Sequence, residues 1–165
     1  MPSPLHDIFC ARIVDEISRQ LRQFQRIDGP VADFAKEVEH LATSRILIPQ
    51  DTGDGRQTYS RREPDASFGH RQAHYPGVIV EVCYSQKSRR VSHLADEYIL
   101  NTDGSVNAVI AFDIDYRSSK RATVTIWRPE YVTVDGVEEF RATAVVEAQV
   151  WLLQNQDIWR LNADR

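Results

Sequence analysis

A chain of 165 residues, 42% hydrophobic and 27% charged, is long enough for one ordinary globular core and short for two, so a single domain over 1–165 is expected. The net charge of −4 argues against a protein that coats nucleic acid through a uniformly basic surface. Residues 1–7 lack a basic start followed by an apolar core, and no apolar run is long enough to span a bilayer. The expectation is therefore a soluble intracellular protein, cytoplasmic or nuclear, with no membrane partner.

Over 7–25, Phe9, Ile13, Ile17, Leu21 and Phe24 recur at spacings of four, four, four and three, one stripe of an amphipathic helix. Ile27-Asp28-Gly29-Pro30 breaks that pattern, and a cap residue ahead of Pro30 predicts a second helix carrying Val31, Phe34, Ala35, Val38, Leu41 and Ala42. Ile46-Leu47-Ile48 reads as a short strand or the lead into one. Residues 49–55 turn polar and glycine-rich, a loop. A further loop is expected over 69–77, ending on Pro76-Gly77.

Val78-Ile79-Val80-Glu81-Val82-Cys83-Tyr84 is apolar and β-branched apart from one acid, the pattern of a buried strand. Val91, Leu94, Ala95, Tyr98 and Ile99 then mark a short helix closed by Asn101-Thr102-Asp103-Gly104, and 106–114 is a second apolar run. Strand, helix and strand in that order imply a crossover between parallel neighbours in the middle of a mixed sheet. Ala122 to Trp127 alternate as a half-exposed strand that Arg128-Pro129 should end. Asp135-Gly136 signals a hairpin, with a strand from about 140 to 152, so the C-terminal strands occupy 130–153. The exposed hairpin edge offers a route to a homodimer. The last dozen residues are mostly polar, and Trp127, Trp151 and Trp159 are read as packing residues.

A carboxylate inside the apolar run around Glu81 needs a partner, because burying an ionised group costs several kcal/mol in order of magnitude unless a cation or hydrogen bonds offset it. Sixteen positions upstream stands a second isolated acid, Asp65. Brought to one point, the two make an oxygen-rich site suited to Mg²⁺ or Mn²⁺. Around them, between 56 and 90, seven basic residues face three acidic ones, a local positive excess within an acidic chain. Taken singly, Asp65 also reads as a turn aspartate and Glu81 as one half of an ion pair. Cys10 and Cys83 read as reduced, packed thiols rather than a disulfide or a zinc site. His70 and His74 sit among Gly69, Pro76 and Gly77, where no helix holds them at a metal-binding spacing.

Pro64-Asp65-Ala66-Ser67, Pro76-Gly77-Val78-Ile79-Val80-Glu81-Val82, Tyr84-Ser85-Gln86 and Leu94-Ala95-Asp96-Glu97-Tyr98-Ile99 resemble the PD-(D/E)XK superfamily of restriction-endonuclease-like phosphodiesterases. They look most like a fungal branch similar to a bacterial endonuclease family. The resemblance covers about 30–127 and implies an α/β (α+β) fold: a restriction-endonuclease-like core with a central mixed β-sheet, flanking helices and a C-terminal hairpin extension. It implies a metal-dependent endonuclease acting on nucleic acid, DNA or RNA, with Mg²⁺ or Mn²⁺ held by Asp65, Glu81 and the Val82 carbonyl. An acid on the first core helix sometimes joins them. Glu37 is named for that place, although helical geometry does not separate it from Glu39.

The chain departs from the family at Cys83, where lysine usually stands, so the water-orienting role passes to Gln86 or Lys87 or hydrolysis is lost. Arg61, Arg62, Arg71, Arg89 and Arg90 are the expected phosphate contacts. The rival expectation is an inactive relative that binds nucleic acid or protein without cutting.

Overall fold

The computed structural model describes residues 4–42, 44–51, 53, 56–84, 88–115, 121–153 and 158–161. It opens with α1 (Pro4–Phe24), whose Phe9 and Ile13 are buried while Phe24, the last member of the predicted stripe, is exposed. Next come α2 (Pro30–Lys36) and β1 (Val38–His40). The helix expected to run through Ala42 thus stops two turns in. A short helix gains little from each added residue. Beyond Lys36 the backbone instead pairs with β4 (Ala66–His70), Val38 opposite His70 and His40 opposite Phe68. Two further bonds, Arg71 N–H to Glu37 O and Leu41 N–H to Ser67 O, extend the strand pairing at both ends.

Between β1 and β4 lie β2 (Ile46–Asp51) and β3 (Gln57–Arg62), a separate antiparallel pair. The polar loop expected over 49–55 is therefore shorter, because Pro49, Gln50 and Asp51 belong to β2. His70 and Gly69, also expected in a loop, close β4. Then follow β5 (Val78–Tyr84), α3 (Ser88–Leu100), β6 (Ala108–Asp115), β7 (Arg121–Val134), β8 (Val137–Leu153) and β9 (Ile158–Leu161). The main sheet runs β1-β4-β5-β6-β7-β8-β9. Its β5–β6 pair is parallel, linked by α3, and its other described pairs are antiparallel. The described residues are thus α+β, with a mixed central sheet and three helices among them.

The sheet centre is covered on both faces, which explains the near-continuous apolar sequence of β5 and β6. On one face Phe9 and Ile13 of α1 pack with Ala66, Val80, Val82, Phe112 and Ile114. On the other, Ile79 and Val109 meet Ala95, Tyr98 and Ile99 of α3 together with Ile46 and Ile48 of β2. Alternation along β5 puts Ile79, Glu81 and Cys83 on the α3 side.

Pro129 does not end β7. β6 pairs with β7 only as far as Trp127, so from Arg128 onward β7 has a strand on one side, and a residue without an N–H is tolerated at such an edge. Asp135 (φ 52°) and Gly136 (φ 80°) make the two-residue turn between Val134 and Val137. β9 pairs with Trp151 and Leu153 of β8, within a tail whose composition signalled no strand. Among the described residues no helix is long and apolar enough to cross a membrane.

Candidate functional site

Asp65 immediately precedes β4, and the register Ala66 opposite Val80, continued by one position, sets Asp65 beside Glu81. Both line a cavity of about 470 Å³ together with Arg62, Glu63, Val82, Cys83, Val91, His93, Leu94, Glu97 and Tyr98. The acids spaced sixteen apart in sequence are therefore neighbours across a strand ladder, at the point where α3 leaves the sheet.

Each carboxylate is held by a different helix. Asp65 Oδ2 accepts from the Val82 backbone N–H at 2.7 Å, and its Oδ1 lies 3.2 Å from His6 Nε2 on α1. Glu81 Oε1 accepts from the Tyr98 hydroxyl on α3 at 3.0 Å. Burial and then the nearby Asp65 charge raise the Glu81 carboxyl to about 7, opposed by the Tyr98 hydrogen bond and the Arg62 charge. Tyr98 is 1% exposed, and burial followed by the Glu81 charge raises its hydroxyl far above the ordinary tyrosine range. It is at once a core residue and the clamp on Glu81.

Arg62 reaches the cavity from β3, a strand that the sequence reading left unassigned. Its guanidinium contacts Glu97 Oε2 at 2.5 and 3.1 Å, while Glu97 Oε1 accepts from Ser60 at 2.5 Å and from Gln50 at 3.2 Å. The β2–β3 pair is thereby tied to α3 by a polar network, with one positive and one negative charge beside the Asp65–Glu81 pair.

Other expected site residues lie elsewhere. Glu37 ends α2 and sits 3.7 Å from Arg71, whose Nε is 2.6 Å from Glu39 Oε1. Neither Glu37 nor Arg71 lines the cavity, because the early end of α2 and the turn into β1 hold these charges against one another. Arg61 is exposed on β3 opposite Leu47 and points away from the face that Arg62 shares with Glu97. Gln86 and Lys87 lie outside the described residues, as do the side chains of Arg89 and Arg90 in the first turn of α3.

Cys83, in the place of the family's lysine, is buried with Val91 and Ala111, and its thiol donates to the Phe112 carbonyl at 3.4 Å. Cys10 is half-buried near His6 and Asp65. Burial, then the charges of Asp65, Asp7 and Glu81, push its thiol up to about 12. His6 and Cys10 were absent from the expected site. Their four-residue spacing within a helix was the available signal.

No family model matches the chain, and neither a curated protein nor a solved structure matches it.

Proposed function

We propose that this protein has a restriction-endonuclease-like core and is a metal-dependent endonuclease that hydrolyses phosphodiester bonds of nucleic acid at the Asp65–Glu81 cavity. The observation that carries this reading is the meeting of two carboxylates, one immediately before β4 and one on the adjacent β5, ahead of a crossover helix, in a cavity that also holds Arg62. Burial and, after it, the Asp65 charge raise the Glu81 carboxyl, and a divalent cation between the two acids would offset both. The donor set is hard: Asp65, Glu81 and the Val82 carbonyl offer oxygen alone, which fits Mg²⁺ or Mn²⁺. Each bonded carboxylate oxygen retains a lone pair, so the hydrogen bonds from Val82 N–H and Tyr98 leave coordination open.

When bound, such an ion supplies Lewis acidity toward the phosphodiester and an activated water. The chain's own residues do the rest. Tyr98 fixes the Glu81 rotamer, the Val82 N–H fixes Asp65, and Arg62, oriented by Glu97, provides the positive charge that draws a phosphate into the cavity.

A nuclease assay on mixed single- and double-stranded DNA and RNA with Mn²⁺ tests the reading. Wild type should cut at least one substrate and Glu81→Gln should fall to background. Absence of cutting by wild type on every substrate overturns it. A second reading is favoured by the buried Cys83 thiol turned onto a backbone carbonyl: a fold relative that binds nucleic acid without cutting. Retention of nucleic acid that weakens with salt, without cleavage, would select it.

A further inference from the structure

We propose that His6, Cys10 and Asp65 form a second cation site, selective for a borderline transition metal, with Zn²⁺ the expected occupant. His6 and Cys10 stand one turn apart on the same face of α1, and that face meets Asp65 at the head of β4. One donor atom from each of the three residues lies within 4.8 Å of the other two. The individual separations are 3.2 Å from His6 Nε2 to Asp65 Oδ1, and 3.7 and 3.9 Å from Cys10 Sγ to the two imidazole nitrogens.

In a tetrahedral zinc site, bonds of about 2.3 Å to sulfur and 2.0–2.2 Å to nitrogen and oxygen put neighbouring donor atoms roughly 3.3–3.7 Å apart. The His6 Nε2–Asp65 pair thus already stands near that spacing, the Cys10 Sγ–His6 Nε2 pair at 3.9 Å is slightly wider, and Cys10 and Asp65 lie within 4.8 Å of each other. Sulfur, imidazole nitrogen and a single carboxylate favour Zn²⁺ over Mg²⁺, the reverse of the all-oxygen pair next door.

The arrangement also has an orienting partner. His6 Nδ1 lies 3.3 Å from Asp7 Oδ1, a carboxylate–histidine relation that, with the proton on Nδ1, leaves the Nε2 lone pair for a metal. The His6 side chain is 12% exposed and that of Asp65 24%, so the donors are sheltered yet reachable from solvent. Binding exchanges the Cys10 thiol proton for the ion, and that proton leaves to solvent. Three protein donors leave the fourth position to water.

The site shares Asp65 with the phosphodiesterase reading but needs neither Glu81 nor any activity. Titrating the full chain with Co²⁺ therefore tests it separately. Wild type, Glu81→Gln and Cys83→Ser should each show one equivalent with visible bands of tetrahedral cobalt and a thiolate-to-cobalt charge-transfer band, both removed by Zn²⁺. Cys10→Ser should lose the charge-transfer band and His6→Ala should lose binding, with circular dichroism showing both folded. Asp7→Asn should keep the band and weaken affinity roughly 10–100-fold. A wild type without the charge-transfer band, or a band that survives in Cys10→Ser, overturns the proposal. A protein that shows the band but cuts no nucleic acid refutes the nuclease reading and leaves this site standing.

Discussion

Replacing Glu81 by glutamine keeps the shape of the side chain, and its amide oxygen can still accept from Tyr98, but the titrating carboxyl is gone. In the folded protein that carboxyl titrates near 7, against an ordinary value of 4.5, with burial the main cause and the Asp65 charge the next. Because the folded value is the higher one, the native state binds the proton more tightly. The stability this gives is fully present below 4.5 and is lost as pH rises through 7. At about 1.4 kcal/mol for each tenfold change in proton affinity, the rise from 4.5 to about 7 amounts to about 3 kcal/mol in order of magnitude.

Glu81→Gln should therefore gain stability relative to wild type as pH rises, approaching about 3 kcal/mol above roughly pH 8 and losing that advantage below roughly pH 4. The exposed Glu16, whose carboxyl the Arg19 hydrogen bond holds down to about 2, is common to both proteins and drops out of the difference. Urea unfolding in the presence of a chelator, at several pH values, measures it as a change in midpoint at constant slope. A difference that stays flat with pH, or that turns destabilising at high pH, would refute the argument that Glu81 is buried against a like charge.

Tyr98→Phe removes the hydroxyl that donates to Glu81 Oε1, and should cost about 1.5–3 kcal/mol at pH 8 and less at pH 4, where the carboxyl is neutral. The same urea series reports it, and an equal loss at both pH values would count against the clamp. Gly104 sits at φ 72° behind α3, its N–H bonded to Ile99 O, and an added Cβ would lie 3.0 Å from Phe140 Cζ. Gly104→Ala should lower stability by about 1–2 kcal/mol, whereas Gly77→Ala, which meets nothing within 4 Å, should change it by less than about 0.5 kcal/mol. Thermal unfolding of the two variants side by side checks the contrast.

Several elements were legible in sequence because local chemistry and tertiary demand agree there. The apolar run at 78–84 is β5, the stripe from Val91 to Ile99 lies on α3, and Asp135-Gly136 is the turn for which those residues are suited. Elsewhere tertiary pairing overruled the local signal. Val38 continued a helical stripe, yet a place beside β4 gave its backbone a partner. Pro129 looked like a strand end, yet lies where β7 has lost one neighbour. Gln57–Arg62 is too polar to read as a strand, and becomes one through β2 and the Glu97 network.

For the site, the sequence by itself determined that Glu81 is an acid in a buried strand, because seven residues of one pattern suffice for that. Asp65 was marked only as a candidate companion. That the two are neighbours, that Tyr98 and Arg62 attend Glu81, and that His6 and Cys10 approach Asp65 was decided by the tertiary structure. Residues of α1, β3, β5 and α3 and the residue just before β4 meet here through strand register and helix docking, and those depend on the whole packed core rather than on any stretch of chain.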